Sequence, residues 1–226
     1  MTNATTPAHP GARPASSDEW LELVDQVLLG LDHALNNRLG ALRAFAELLR
    51  DDVWRTTSAA TDSIQKEVAR LEETTSVVRL LARPKQPSPT GLILEDVLAD
   101  VLRIHAMLYD VRRTPLELIP SAPLEPVWSE RSALIRLLSL ILYTLRRQAC
   151  AAGVDGSVHL ITEANEHTVR IRIASPAPIG ESAVSEYASS IASSMDVDCR
   201  MSDGRLELRL PTLKAHRDQS SGRRGE

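Results

Sequence analysis

Aromatic side chains are nearly missing from this sequence: three Trp, three Tyr and one Phe make up 3% of its 226 residues. The core must then be filled by Leu, Val, Ile and Ala, which favours helices packed on helices or on a small sheet. Cysteine is equally scarce. Cys150 and Cys199 stand far apart and in no metal-ligand spacing, so they read as reduced thiols and not as a disulfide framework or a zinc site. No apolar run approaches the roughly 20 residues needed to span a bilayer, and the first residues lack the apolar stretch of a signal peptide. The expectation is a cytoplasmic protein with no membrane partner. An excess of basic charge is absent too: a net charge of -4 and a pI near 5.9 give no electrostatic case for nucleic acid or an anionic membrane surface. His105, His159 and His167 fall in separate elements without a carboxylate or thiol at ligand spacing, which argues against a metal site. The Ser-rich run over 182–194 lacks a nucleophile-elbow pattern.

What the sequence does have is one stretch of polar side chains on an otherwise apolar helix, Leu31-Asp32-His33-Ala34-Leu35-Asn36-Asn37-Arg38-Leu39. Steps of four and three residues collect Gln26, Gly30, His33, Asn37, Gly40 and Ala44, a stripe without a large apolar side chain. The neighbouring stripe is its opposite. Val24, Leu28, Leu31, Leu35, Leu39, Leu42, Ala46 and Leu49 share one face, which is expected to be buried while the histidine face is open. Glycine costs roughly 1 kcal/mol relative to Ala inside a helix. Gly30 and Gly40 therefore suggest close approach of another surface on either side of the imidazole. The plain alternative is a helix that tolerates two glycines and carries an incidental exposed histidine.

The length allows one large or two small domains. Residues 1–15 hold almost no large apolar group and are expected to be a disordered tail. Ser16 and Glu19 have capping-box spacing, so a long helix should run from about 17 to 51. After a short connection at 54–58, Ile64, Val68, Leu71, Thr75, Val78 and Ala82 mark a second amphipathic helix over 59–81. Two long helices with a short loop make an antiparallel hairpin spanning 16–83. A hairpin alone is a poor core, and the simplest completion is a homodimer forming a four-helix bundle; packing on the C-terminal half of the same chain is the alternative. Three prolines within 84–91 mark a linker. The second domain, 92–213, reads as a helix at 94–108, short strands at 116–119 and 127–128, and a strongly apolar helix at 132–149. Strands at 157–162 and 168–174, a helix at 182–194 and a hairpin of 197–201 with 205–210 complete it. The fold class is α+β, with helices grouped on one face of a mixed sheet, and residues 214–226 are expected to be a disordered tail.

On these residues the hairpin resembles the dimerisation and phosphoacceptor (DHp) domain of two-component histidine kinases, and the C-terminal half resembles their Bergerat (GHKL) ATPase-type domain. His33-Ala-Leu-Asn-Asn37-Arg-Leu39 is similar to the family's H-box. The resemblance implies that His33 is the phosphoacceptor, and that Asn37 matches the position where the family carries a Thr or Asn that orients water. Ala34 departs from the Asp or Glu usual in active kinases. The departures continue downstream. Ser139 and Tyr143 stand where the N-box asparagines would be; in the family's Asp-x-Gly-x-Gly box Ser175 replaces the aspartate that reads adenine and Ala177 replaces the first glycine. Between Gly180 and the expected helix at Ser182 there is no room for an ATP lid.

An H-box hairpin joined to a stripped ATPase-like domain is similar to the dimeric histidine phosphotransferases of the ChpT type. That resemblance implies His-to-Asp phosphoryl transfer between receiver domains of response regulators, with no cofactor bound by this chain and Mg²⁺ supplied by the partner receiver. His33, Asn37, Asn36 and Asp32 are then the candidate catalytic residues, with Asn36 or Asp32 able to orient the imidazole. Gly30, Arg38, Gly40 and Arg43 are the candidate partner-binding residues; the two arginines could equally be ordinary solvated charges. Two other functions remain open: a histidine kinase or phosphatase with an atypical nucleotide site, and a non-catalytic pseudokinase that binds and sequesters a response regulator.

Overall fold

The computed structural model describes residues 18–49, 58–82, 88–119, 124–180 and 184–222. The expected N-terminal tail, the Ser16 end of the capping box, most of the 54–58 connection and the first half of the linker lie outside the described residues. Helix α1 spans Asp18–Leu48 and α2 spans Ser58–Leu81. They form the expected hairpin, and across it Arg38 donates to Glu67 at 3.1 Å while Arg70 donates to the same carboxylate at 2.6 Å. Hydrogen bonding from Arg70, outweighing burial, and then from Arg38 holds the Glu67 carboxyl below its usual range.

The buried face of α1 is rotated from the expected one. Leu23, Val27, Gly30 and Leu31 are buried, whereas Leu28 and Leu39 stay 44% and 49% exposed. The reason is tertiary. The first half of α1 packs on the α/β unit of the same chain, with Arg147 paired to Glu22 and the Arg136 guanidinium over the Trp20 ring at 4.8 Å. On α2 the expected stripe is only partly inward: Ile64 and Leu71 are half-buried, Val68 and Val78 are 42% and 44% exposed, and Glu67, Thr74 and Val77 are buried.

The second unit contains β1 (Thr90–Leu92), α3 (Leu94–Ala106), β2 (Leu116–Ile119), β3 (Val127–Ser129), α4 (Arg131–Ala151), β4 (Val158–Ala164), β5 (Thr168–Ala174), α5 (Glu186–Ser194), β6 (Asp198–Ser202), β7 (Arg205–Pro211) and α6 (Leu213–Gly222). A five-stranded mixed sheet runs β2-β4-β5-β7-β6, parallel between β2 and β4 and antiparallel elsewhere. Period-two alternation sends Val158, Leu160, Val169, Ile171, Ile173, Leu206, Leu208 and Leu210 into the core. On the other face Glu207 joins Arg172 at 3.4 Å and also pairs with Arg209. The expected α+β sandwich is borne out, with α4 as its central helix: Leu134, Leu137, Leu138, Leu142 and Leu145 are within 1% of complete burial.

Two expectations about the chain path need correction. β1 lies in the segment read as linker and domain edge, and pairs antiparallel with β3, Gly91 opposite Trp128. Three residues beginning Thr-Gly carry no alternation to reveal a strand. Leu213–Gly222, most of it read as tail, is a helix. Thr212 caps α6 by accepting from the Ala215 N–H at 3.1 Å, and His216 stacks on Trp128 with ring centroids 4.1 Å apart. Helix α5 begins at Glu186, capped by Ser185; the expected start at Ser182 falls outside the described residues.

One buried polar network holds the turn between α3 and β2. Arg146 of α4, 4% exposed, donates from Nε to the Thr114 carbonyl at 2.8 Å and from its terminal nitrogens to the Val111 carbonyl at 3.0 Å and to His105 Nδ1 at 2.9 Å. A guanidinium only donates, so Nδ1 accepts and the His105 proton sits on Nε2. Burial, then the Arg146 charge, lowers the His105 pKa to about 3. Against this turn α1 makes its closest approach: a Cβ added at Gly30 would lie 1.8 Å from the Met107 carbonyl oxygen. Gly40 has open space instead, with nothing within 4 Å.

Gly30→Ala is therefore expected to lose about 1–3 kcal/mol through overpacking against rigid backbone, whereas Gly40→Ala gains up to about 1 kcal/mol of helix propensity. Urea midpoints of the two variants check this. His105 is neutral when folded and titrates at its ordinary 6.5 when unfolded, so the unfolded chain takes up the extra proton. Its contribution is flat above pH 6.5 and falls by up to about 1.4 kcal/mol per pH unit between 6.5 and 3. His105→Gln should remove that part of the slope in urea titrations at stepped pH.

Candidate functional site

His33 lies on the exposed side of α1, as the small-residue stripe implies. Helical geometry puts Gly30 three residues before it and Asn37 one turn after it, all on one side. The ring is not isolated. Tyr109, from the turn after α3, meets it at 5.1 Å between centroids with the planes 83° apart, an edge-to-face contact. Gln26, Leu29, Gly30, His33, Tyr109 and Asp110 line a shallow open depression of about 400 Å³.

The turn that supplies Tyr109 is fixed from several sides. Asp110 accepts from the Tyr143 hydroxyl at 3.0 Å, and the Arg112 guanidinium lies 3.3 Å from the centroid of the Tyr109 ring. Burial, and then the Asp110 charge, pushes the Tyr143 pKa up to about 12, so the phenol remains a neutral donor.

The other residues singled out from sequence separate into groups. Asn36 donates its amide to Asp32 Oδ2 at 3.2 Å, so this pair is engaged with itself one turn apart. Asn37 is exposed on the His33 side of α1. Arg38 is held by Glu67, a half-exposed side chain bridging the hairpin, while Arg43 is exposed. Gly30 does admit a close approach, but the surface that approaches is Met107 of this same chain; a receiver helix cannot occupy that place in this conformation.

The four positions read as degenerate nucleotide contacts serve the chain's own packing. Ser139 is fully buried beside His105 between α3 and α4, and Tyr143 is 3% exposed and bonded to Asp110. Ser175 accepts from the Ala177 N–H at 3.3 Å, and Ala177 is buried. No carboxylate or amide side chain stands at these four positions. A larger cavity, about 850 Å³, lies elsewhere, near the start of β5 and the end of β7, where Trp128, His167, Met195, Arg209 and His216 line it.

Sequence reading misses Tyr109, Asp110, Met107 and Arg146. A signal exists for two of them. Tyr109 is one of three tyrosines in an aromatic-poor chain, and Arg146 interrupts the buried register of an otherwise apolar helix.

No family model matches the sequence, and no curated protein matches it either. Solved structures do show a likeness. The histidine kinase AdeS of Acinetobacter baumannii aligns at a TM-score of 0.42 and 14% identity, over 80% of this chain and 96% of that one. The ATP-binding domain of PrrB from Mycobacterium tuberculosis aligns at 0.44 and 18% identity, over 55% and 97%. The histidine kinase ThkA, solved in complex with the response regulator protein TrrA, aligns at 0.44 and 14% identity, over 88% and 65%.

Proposed function

We propose that this chain is a histidine phosphotransfer protein of a two-component phosphorelay, which moves a phosphoryl group between receiver-domain aspartates through His33 and does so without ATP. The observation that carries the reading is His33 itself: an exposed imidazole on a strip of small side chains, ordered by a neighbouring ring and open to a docking protein. The chain would act as a homodimer. Leu28, Leu39, Val68 and Val78, between 42% and 49% exposed, give the hairpin an apolar flank that the same flank of a second copy would bury as a four-helix bundle.

In this reading a neutral imidazole nitrogen attacks the phosphorus of an aspartyl phosphate. The P–N bond forms as the acyl P–O bond breaks, and the carboxylate leaves with the electron pair. The second half-reaction runs the same exchange onto another receiver. The transition state is loose, so alignment and charge neutralisation supply most of the rate. Neutralisation would fall largely to Mg²⁺ carried by the receiver, and Asn37, exposed one turn from His33, would meet a phosphoryl oxygen. Packing at Ser139, Tyr143, Ser175 and Ala177 favours this reading over a kinase with an atypical nucleotide site.

A panel of radiolabelled phospho-receivers should place acid-labile label on the wild-type chain and none on His33→Ala, with the dimer unchanged by light scattering. Persistence of label in that variant would sink the proposal. Saturable, Mg-dependent binding of a fluorescent ATP analogue would favour a kinase, and receiver binding indifferent to His33 without any label would favour sequestration.

A further inference from the structure

We propose that Tyr109 is a positioning residue for His33, and that the second domain acts on the phosphotransfer site through this ring; the inference rests on the phosphotransfer reading. An exposed histidine on a helix turns freely about two side-chain bonds, and an in-line exchange tolerates little misplacement of the attacking nitrogen. Among the described residues Tyr109 is the aromatic ring that touches His33, and Asp32 and Asn36 bond to each other rather than to the imidazole. The contact at 83° covers one side of the imidazole and leaves the residue exposed, so it restricts the ring without closing the site.

The placement of Tyr109 is over-determined. Its turn is tied to α4 through Arg146, which holds the carbonyls of Val111 and Thr114, and through Tyr143, which holds Asp110. It is tied to α1 by the approach of the Met107 carbonyl to Gly30, one turn before His33. The ring itself is covered by Arg112 at 3.3 Å. The distance from the turn to the histidine is thus set by backbone contact, and the tyrosine fills it. Met107 directly follows α3, so the second domain contributes to the site by presenting a rigid ring to the reacting side chain.

The test compares Tyr109→Ala and Tyr109→Phe with wild type in the full chain. Tyr109→Ala should move the His33 ring resonances in NMR and lower the single-turnover transfer rate at saturating phospho-receiver roughly 10- to 100-fold, with half-saturation changed less than about twofold. Tyr109→Phe keeps the ring edge and should restore both the resonances and the rate. Unchanged His33 resonances in Tyr109→Ala, a wild-type rate in that variant, or failure of Phe to rescue would each overturn the positioning role. The two readings fail separately. A wild-type chain that takes no phosphoryl group from any receiver overturns phosphotransfer, and the His33 resonances then decide alone whether Tyr109 orders the ring. Urea midpoints of the alanine and phenylalanine variants within error of each other exclude misfolding as the cause.

Discussion

A guanidinium buried without a carboxylate must be satisfied by whatever acceptors the backbone can bring, and in this chain that requirement falls on Arg146. Removing such a group from water is costly unless its donors are met. The acceptors are the carbonyls of Val111 and Thr114 and the Nδ1 of His105, all on the segment that leaves α3 and enters β2. A connection that would otherwise be a variable surface turn is thereby given one path. The neutrality of His105, the burial of Ser139 beside it, the hydrogen bond from Tyr143 to Asp110 and the seat of Gly30 on the Met107 carbonyl all presuppose that path. One of the contacts that seat the hairpin on the α/β unit, Gly30 against Met107, thus depends on the turn that this arginine fixes.

The α/β layer thus gives the hairpin a fixed surface to rest on. Ser139 and Tyr143, both on α4, are buried within it, and Ser175 is bonded to the Ala177 N–H just after β5. The platform in turn fixes what faces α1.

Much of the architecture is legible from pattern alone. The 3.6-residue periodicity places both long helices, and alternation places β4, β5 and β7 within a residue or two, because sheets with one buried face must alternate. The small-residue stripe places His33 on an exposed side. What is not legible depends on contacts distant in sequence. Periodicity says that a helix has an apolar face, but Leu23 and Val27 are buried in place of Leu28 because of where α4 and the α3 turn stand, which no local window contains. Gly30 marks a point of close approach in the sequence, yet the partner turns out to be this chain's own Met107 and not another protein, since a glycine does not name its neighbour. β1 and α6 escape for a related reason: each is too short or too polar to announce itself and exists because the other elements leave room for it.

Those two elements also bind the ends of the second domain together. Leu213, at the start of α6, rests on Gly91 of β1 so closely that a Cβ there would meet its Cδ2 at 2.9 Å, and its N–H donates to Pro126 ahead of β3. The first strand after the hairpin is therefore covered by the last helix of the domain. On a ribosome the hairpin could coil as soon as it emerged, but the α/β layer could not close until residues past 212 had been made. Vectorial synthesis thus orders the assembly: the helix bearing His33 comes first, and the platform that orders it comes last.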